Sequence, residues 1–207
     1  MITNWLTYRG LVVLGLVLIV GGCAWFGPSR PPETLAETGF AVQGKLGVRQ
    51  GDEGFSSNFS WHQTADGFDI ELWGPLGQGR TRMQGEANGS VTITTSRGEV
   101  YEEPDTTEAM RRWFGMAVPL DALQHWIRGL PAPAHPISAE QRDAANQLVS
   151  LEQLDWQLQF SAYRPPDRAD GLPDDAIRAL PGRLVATHED IRVTLVPGQW
   201  VVSGDMR

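Results

Sequence analysis

The feature that most constrains the fold of this chain is a strict alternation of apolar and polar positions, which begins at residue 40. The segment 40–49, FAVQGKLGVR, places an apolar residue or a glycine at every second position. Successive side chains of a strand point to opposite faces, so this pattern predicts a strand with one buried face. The alternation returns in 55–61 and 68–72, after the turn sequences GDEG and ADG. Strands joined by such short turns predict an antiparallel meander.

After three further short segments of the same kind, the period changes to that of a helix at Asp105. Asp105 and Glu108 match an Asp-x-x-Glu capping box, and Gly115 fits the C-terminal cap. The bulky residues between them fall on one helical face: Met110, Trp113 and Phe114. A second helix is predicted from Pro119 to the region before Gly129. Its inward residues are Leu120, Leu123, Trp126 and Ile127.

Residues 132–147 leave two alternatives open. Ser138 with Gln141 could cap a short helix, whereas Pro133 and Pro136 favour a loop.

Strands return from residue 148 and are clearest at 156–160. A proline-rich stretch (165–173) precedes three predicted closing strands at 183–187, 191–195 and 200–202. The order contains no βαβ alternation. It predicts a mainly β, α+β fold in which two helices cover the concave face of an antiparallel sheet.

The first 38 residues have a different character from this domain. An uncharged apolar run of ten residues follows Arg9, which is too short to span a bilayer and typical of a cleaved signal peptide (1–22). Val20, Gly21 and Gly22 precede Cys23, which resembles the box that directs bacterial lipoprotein processing. The alternative is a signal-anchor helix with an incidental buried cysteine. The first interpretation makes Cys23 the lipid anchor.

Residues 23–38 contain three prolines and no strand periodicity, so we predict a flexible tether whose extended reach is at most about 50 Å. The domain is predicted to occupy 39–207. By the usual sorting rule, an Asp directly after the lipidated cysteine favours the inner membrane; Ala24 therefore points to the outer membrane.

Composition narrows the classes of function. With 25 acidic and 17 basic residues the net charge is −8, which disfavours nucleic acid as a partner. The lone cysteine and four scattered histidines match no metal-ligand spacing, so we expect no metal and no cofactor. No catalytic motif is present, so we expect that the protein is not an enzyme and has no catalytic residues.

Eight tryptophans are a heavy aromatic load for 207 residues. Two alternatives follow: they fill a packed core, or together with neighbouring apolar side chains they line a cavity that binds an apolar ligand. The sequence alone does not separate a filled core from a lined cavity.

The segment WGPLGQG (73–79) places Leu76 between Pro75 and Gly77 at a hairpin tip, where polar residues are the rule. Leu76 is either a buried turn residue or an exposed apolar group that touches a membrane or a partner. Arg80 and Arg82 follow directly and could meet anionic lipid heads or an acidic partner.

Several phrases resemble the LolB family of outer-membrane lipoprotein receptors. They are GKLGVR (44–49), FSW (59–61), GPLG (74–77), the spacing of Gly115 with Pro119 and Leu120, WIRGLP (126–131), and Trp156 with the strand that follows it. These phrases occur along most of the predicted mature chain, and they follow the box at Cys23.

The resemblance implies an incomplete antiparallel β-barrel of the LolA/LolB type with a helical lid over an apolar cavity. It also implies a monomer that is lipid-anchored in the outer membrane and faces the periplasm. Such a receptor accepts lipoproteins from the periplasmic carrier LolA by their acyl chains and inserts them into outer-membrane lipid, with Leu76 as the insertion residue. The acyl-chain cavity is predicted to be formed by Phe40, Val42, Leu46, Phe59, Trp61, Ile70, Leu72, Trp113, Phe114, Trp126 and Trp156. Two other interpretations stay open: a structural or assembly lipoprotein without a ligand, and a lipid-anchored envelope hydrolase.

Overall fold

The computed structural model describes residues 39–203 except 87–88, 116 and 174–176. The predicted signal peptide (1–22), the anchor Cys23 and the tether (23–38) lie outside the described residues.

The described residues form one extended sheet and two short helices. The helices are α1 (Thr106–Phe114) and α2 (Leu120–Trp126). The strands are β1 (Gly39–Gln50), β2 (Glu53–Gln63), β3 (Gly67–Trp73), β4 (Thr81–Glu86), β5 (Val91–Thr94), β6 (Val100–Glu103), β7 (Ala139–Arg142), β8 (Leu148–Gln153), β9 (Trp156–Ser161), β10 (Arg168–Asp170), β11 (Arg183–His188) and β12 (Ile191–Ser203).

The sheet is an open, curved antiparallel barrel. Its strand order is β6-β5-β4-β3-β2-β1-β12-β11-β9-β8-β7, and β10 pairs in parallel with β12 outside this path. Strands β6 and β7 are the two edges and do not pair with each other in the described part of the chain. The predicted fold, an incomplete antiparallel barrel with two helices, is confirmed.

One long strand replaces two of the three predicted closing strands. Strand β12 runs through Pro197 and Gly198, which the sequence suggests as a break. A bulge accommodates both residues: the register against β1 shifts between Gln43 and Gly44, and Gly44 pairs with Pro197. A side chain at Gly44 would lie 2.3 Å from the carbonyl oxygen of Val196, so this close approach requires glycine.

The region 132–147 contains a strand, so the short helix considered for it is wrong. Ala139–Arg142 pairs with β8, and a turn at 143–147 connects the two strands. Asp143 stabilises this turn because its Oδ1 accepts hydrogen bonds from the backbone N–H groups of Ala145 and Gln147, each at 2.9 Å. Because the Asp143 carboxylate stabilises a turn here, the chain forms a β-hairpin and not a helix.

Both predicted helices are confirmed. Asp105 caps α1 by accepting a hydrogen bond of 2.8 Å from the backbone N–H of Glu108, and Gly115 ends it at φ 71°. The Glu108 side chain pairs with Arg111 at 2.8 Å. Helix α2 buries one face completely: Leu120, Ala122, Leu123 and Trp126.

A buried amide ties α2 to the far side of the sheet. Gln153, at the end of β8, is fully buried. Its Oε1 accepts hydrogen bonds from Trp126 Nε1 and Ala132 N at 2.9 Å, and its Nε2 donates to the carbonyl oxygens of Ala132 and His135 at 2.9 and 2.8 Å. All of its hydrogen-bonding capacity is used, so removal of one partner would leave an unsatisfied buried group.

A neutral histidine lies on the same helix. His125 Nδ1 is 3.2 Å from Nη2 of Arg128, and because a guanidinium only donates, this ring nitrogen must accept. Burial, and then the charge of Arg128, lower the pKa of His125 to about 4, while Asp121 acts weakly in the opposite direction. The folded protein therefore keeps His125 uncharged under conditions where the unfolded chain protonates it.

We predict that this histidine makes the domain less stable in mild acid. Between its unfolded pKa of about 6.5 and its folded pKa of about 4, the unfolded chain binds a proton that the folded chain does not, so stability falls as the pH falls through this window. After allowance for partial exposure we expect a loss of roughly 1–2 kcal/mol. Urea unfolding at several pH values measures it. His125→Gln, which can still accept from Arg128, should show a smaller decline; an unchanged decline would contradict the assignment.

Candidate functional site

An apolar cavity lies between the concave face of the sheet and the two helices. Its volume is about 70 Å³. Strands β1 to β4 and β12 supply one wall, and α1, α2 and their connection supply the other. Every lining side chain is apolar: Leu46, Val48, Phe55, Phe59, Trp61, Ile70, Leu72, Met83, Met110, Phe114, Val118, Leu120, Leu123, Val193 and Leu195. Such a lining offers a ligand no hydrogen bond and no charge.

The structure places six of the eleven predicted cavity residues on this wall. They are Leu46, Phe59, Trp61, Ile70, Leu72 and Phe114. Four others, Phe40, Val42, Trp126 and Trp156, lie in the packed core outside the cavity wall, and Trp113 lies at its mouth.

Aromatic packing explains why those core residues leave no space. The Phe40 ring lies 5.4 Å from Trp61 and 5.7 Å from Trp200, and the guanidinium of Arg128 lies 5.4 Å from the Phe40 ring. The indoles of Trp126 and Trp156 are 6.3 Å apart. These rings fill this part of the barrel, so Trp126, Trp156 and Trp200 form a packed core and do not line the cavity.

The predicted cavity list missed nine lining residues: Val48, Phe55, Met83, Met110, Val118, Leu120, Leu123, Val193 and Leu195. Met83 and the β12 residues Val193 and Leu195 belong to strands whose alternation is visible in the sequence. The proximity of Val193 and Leu195 to Leu46 and Val48 depends on the pairing of β1 with β12, which joins segments about 150 residues apart. No local pattern predicts that pairing.

The cavity opens into a second space, which we call the mouth groove. It lies between Phe55 on β2, the loop 74–81 and the C-terminal end of α1, and it has a volume of about 400 Å³. Its lining consists of Phe55, Ser56, Ser57, Leu72, Gly74, Gln78, Gly79, Thr81, Trp113 and Phe114. Phe55, Leu72 and Phe114 line both spaces, and Phe55 is 44% exposed. The cavity is therefore continuous with the surface at this point.

Helix α1 is fastened to the edge strand β6 by a buried carboxylate. Glu103 is 4% exposed; its Oε1 accepts a hydrogen bond of 2.9 Å from Trp113 Nε1 and lies 3.6 Å from Nε of Arg112. The Trp113 ring packs on Tyr101 with centroids 4.7 Å apart. Ala109 and Met110 are the buried residues of α1, so these contacts at the end of the helix are a large share of what holds it.

Leu76 lies at the tip of a tight loop beside the mouth groove. It is 96% exposed, so the buried alternative is wrong. Its backbone is left-handed (φ 62°, ψ 18°), which is strained for a leucine. Pro75 precedes it, Gly77 follows at φ 78°, and a hydrogen bond of 2.8 Å from Gly74 N to the carbonyl oxygen of Gln78 closes the loop. The loop thus holds an apolar side chain in solvent.

The two arginines after this loop have partners within the chain. Arg80 Nη1 lies 2.6 Å from Glu71 Oε2, and its guanidinium lies 5.2 Å from the Trp73 ring. Arg82 forms a bidentate ion pair with Asp69. Both ion pairs join β3 to β4 or to the residue just before β4. They stabilise the sheet modestly, because exposed ion pairs contribute about 0–1 kcal/mol each.

Within the described ranges, no helix is long and apolar enough to span a membrane. In those same ranges, no group of three or more metal-ligating side chains comes together.

We predict that removal of the Glu103 carboxylate loosens α1 selectively. Glu103→Ala deletes the acceptor for Trp113, and the loss of roughly 1–2 kcal/mol of local stability should speed amide hydrogen exchange in 106–114 by about tenfold. Exchange in α2 should change little. Glu103→Gln, which keeps an acceptor oxygen, is the matched control and should resemble the parent protein. Equal acceleration in both helices after Glu103→Ala would contradict a local role.

Comparison with known proteins assigns the family. The pattern that defines the family "LolB: Outer membrane lipoprotein LolB" matches residues 38–200. Outer-membrane lipoprotein LolB of Cellvibrio japonicus is 33% identical over 93% of this chain and 97% of its own length. Its counterpart from Chromohalobacter salexigens is 35% identical over 94% of this chain and 92% of its own length.

A solved structure agrees at the level of the fold. A domain assigned to outer membrane lipoprotein sorting, from Vibrio parahaemolyticus, has a TM-score of 0.52 at 8% identity, covering 82% of this chain and 89% of its own. On the family pattern and on these relatives, the chain belongs to the LolB family of outer-membrane lipoproteins.

Proposed function

We propose that this protein accepts lipoproteins from the periplasmic carrier LolA, holds their acyl chains in the apolar cavity, and inserts them into the outer membrane. In this proposal Cys23 anchors the protein to the outer membrane with its domain in the periplasm. The observation that carries the proposal is a wholly apolar cavity that opens beside a loop with an exposed leucine. Family membership supports the same role.

The energetics of the cargo require an enclosed route. A triacylated lipoprotein carries three chains of about 15 methylenes, and each methylene transferred to water costs about 0.8 kcal/mol, or roughly 36 kcal/mol in total. A barrier of that size does not allow free diffusion on a cellular timescale. Transfer from the cavity of one protein to that of another removes the aqueous step. Direction then follows from increasing affinity along the route.

The cavity must widen to receive acyl chains. Its 70 Å³ is smaller than the roughly 150 Å³ cavity that admits benzene in a well-packed protein. Helix α1 is the wall that can move most easily, because two of its residues are buried, whereas α2 buries four and is tied to Gln153. Acyl chains would replace the contacts that Met110 and Phe114 make with the sheet.

The other two interpretations fit these observations less well. A purely structural lipoprotein needs no cavity with an open mouth, because an unfilled space lowers stability. A hydrolase needs polar groups that converge on the substrate, whereas the cavity lining is apolar throughout. The cavity therefore favours binding of an apolar ligand.

We predict that a bulky side chain in the cavity blocks the ligand. Leu46→Trp on β1 fills space on the cavity wall and should weaken the binding of an apolar fluorescent probe at least tenfold. Acceptance of a lipoprotein from LolA should fall in parallel. Val149→Trp is the matched control, since Val149 on β8 is 39% exposed and is not part of the lining. Undiminished probe binding by folded Leu46→Trp would argue against this cavity as the site.

We predict that Leu76 acts after the cargo has bound. Burial of a leucine side chain in the bilayer contributes about 1.5–3 kcal/mol, enough for transient docking. Leu76→Gly removes the side chain and relieves the left-handed strain, so the melting temperature should stay equal or rise. Acceptance from LolA should persist, while insertion into liposomes falls sharply. Leu76→Glu should have the same selective effect, because the interface resists its charge.

The matched control is Leu154→Gly, since Leu154 is another turn leucine with positive φ (54°) but is 37% exposed and does not line the groove. It should leave insertion intact. Unimpaired insertion by Leu76→Gly would remove Leu76 from the mechanism.

A further inference from the structure

We infer that the mouth groove binds the uncharged polar head of the cargo, namely the ester-linked glyceryl group and the first peptide units of an acylated cysteine, and that it thereby selects lipoproteins over phospholipids. This inference rests on the proposed function and deepens it, because it concerns what lies outside the cavity while the acyl chains lie inside.

The first argument is continuity. Phe55, Leu72 and Phe114 line both the cavity and the mouth groove, so chains in the cavity leave their head group between the loop 74–81 and α1. The cavity offers no hydrogen bond, and ester and amide oxygens without partners are costly to bury. The head of any amphiphile bound by its chains must therefore lie in the groove.

The second argument is the polar chemistry of the groove. The side chains of Gln78 and Thr81 make no hydrogen bond to another described residue, and both line the groove. Ser57, in contrast, already donates to the carbonyl oxygens of Trp73 and Asn58 at 2.9 Å. The indole N–H of Trp113 is similarly engaged by Glu103. Ester and amide oxygens can therefore be bound by Gln78 and Thr81, and also by Ser56, whose hydroxyl makes no hydrogen bond to another described residue.

The third argument is charge. No lysine, arginine, aspartate or glutamate is among the lining residues of the groove. The nearest arginine in the sequence, Arg80, is paired with Glu71 and stacked on Trp73. A phosphate bound in such a groove would lack a cationic partner, whereas an uncharged glyceryl ester and a peptide amide need only hydrogen bonds. A receptor at a phospholipid surface gains from such selectivity, because its cavity otherwise fills with membrane lipid.

Three ligands separate the head from the chains: a synthetic cysteinyl peptide with two palmitoyl chains on its glyceryl group, a phosphatidylglycerol with the same two chains, and palmitic acid. Equilibrium binding of each to the domain is measured by displacement of an apolar fluorescent probe. We expect the wild type to bind the lipopeptide at least tenfold more tightly than phosphatidylglycerol. The double variant Gln78→Ala/Thr81→Val should lose about tenfold in lipopeptide affinity and keep its affinity for palmitic acid.

The matched control is Gln159→Ala/Thr92→Val, which makes the same changes on outward-facing positions of β9 and β5. It should leave all three affinities unchanged. Gln78→Arg adds a cation to the groove and should strengthen phosphatidylglycerol binding several-fold.

Two results would overturn the inference: equal losses for lipopeptide and palmitic acid in the double variant, or wild-type binding of phosphatidylglycerol as tight as that of the lipopeptide. Failure of the proposed function has a different signature. In that case none of the three ligands would displace the probe from the wild-type protein.

Discussion

The structure depends on the mismatch between a wide apolar sheet face and the two short helices that cover it. The concave face must be removed from water, because apolar burial is the main favourable term in folding. Helices of nine and seven residues cover it incompletely, and the aromatic rings around Phe40 fill only one part of the barrel. The remaining gap is the cavity. A cavity lined only by apolar side chains thus arises from the same constraint that makes the fold stable.

The two helices are attached in different ways, and this difference gives the site a fixed wall and a movable one. Helix α2 is anchored through Trp126 to the fully buried amide of Gln153. Helix α1 buries only two residues and is attached through Trp113 to Tyr101 and to the carboxylate of Glu103, on an edge strand that has no further neighbour in the described sheet. Glu103 can regain solvent when α1 moves away, so breaking this contact leaves no buried charge. An opening that moves α1 and leaves α2 in place is therefore the least costly one.

Local patterns in the sequence predicted most of the fold and part of the site. The alternation in β1 to β3, the Asp105 cap and the apolar face of α2 are local, and the structure reproduces them. The continuation of β12 through Pro197 depends on a bulge opposite Gly44, and the strand at 139–142 depends on pairing with β8. The cavity wall likewise depends on long-range pairing. Phe40 and Leu46 alternate on one strand, yet packing places the first in the core and the second on the cavity.

Neither the exposure of Leu76 nor the polar side chains of the mouth groove is explained by folding alone. A leucine in a left-handed backbone conformation and 96% exposed lowers stability twice, through strain and through apolar surface in water. The exposed side chain of Gln78 on the same loop makes no hydrogen bond to another described residue, so it adds little to the fold. Both features lie on the same loop, at the place where the cavity opens. A bilayer would remove the exposure of Leu76, and a polar head would replace the water that solvates the groove side chains. Under the proposed function, this loop would meet the cargo on its groove side and the bilayer at Leu76, so release of the acyl chains would be coupled to contact with the membrane.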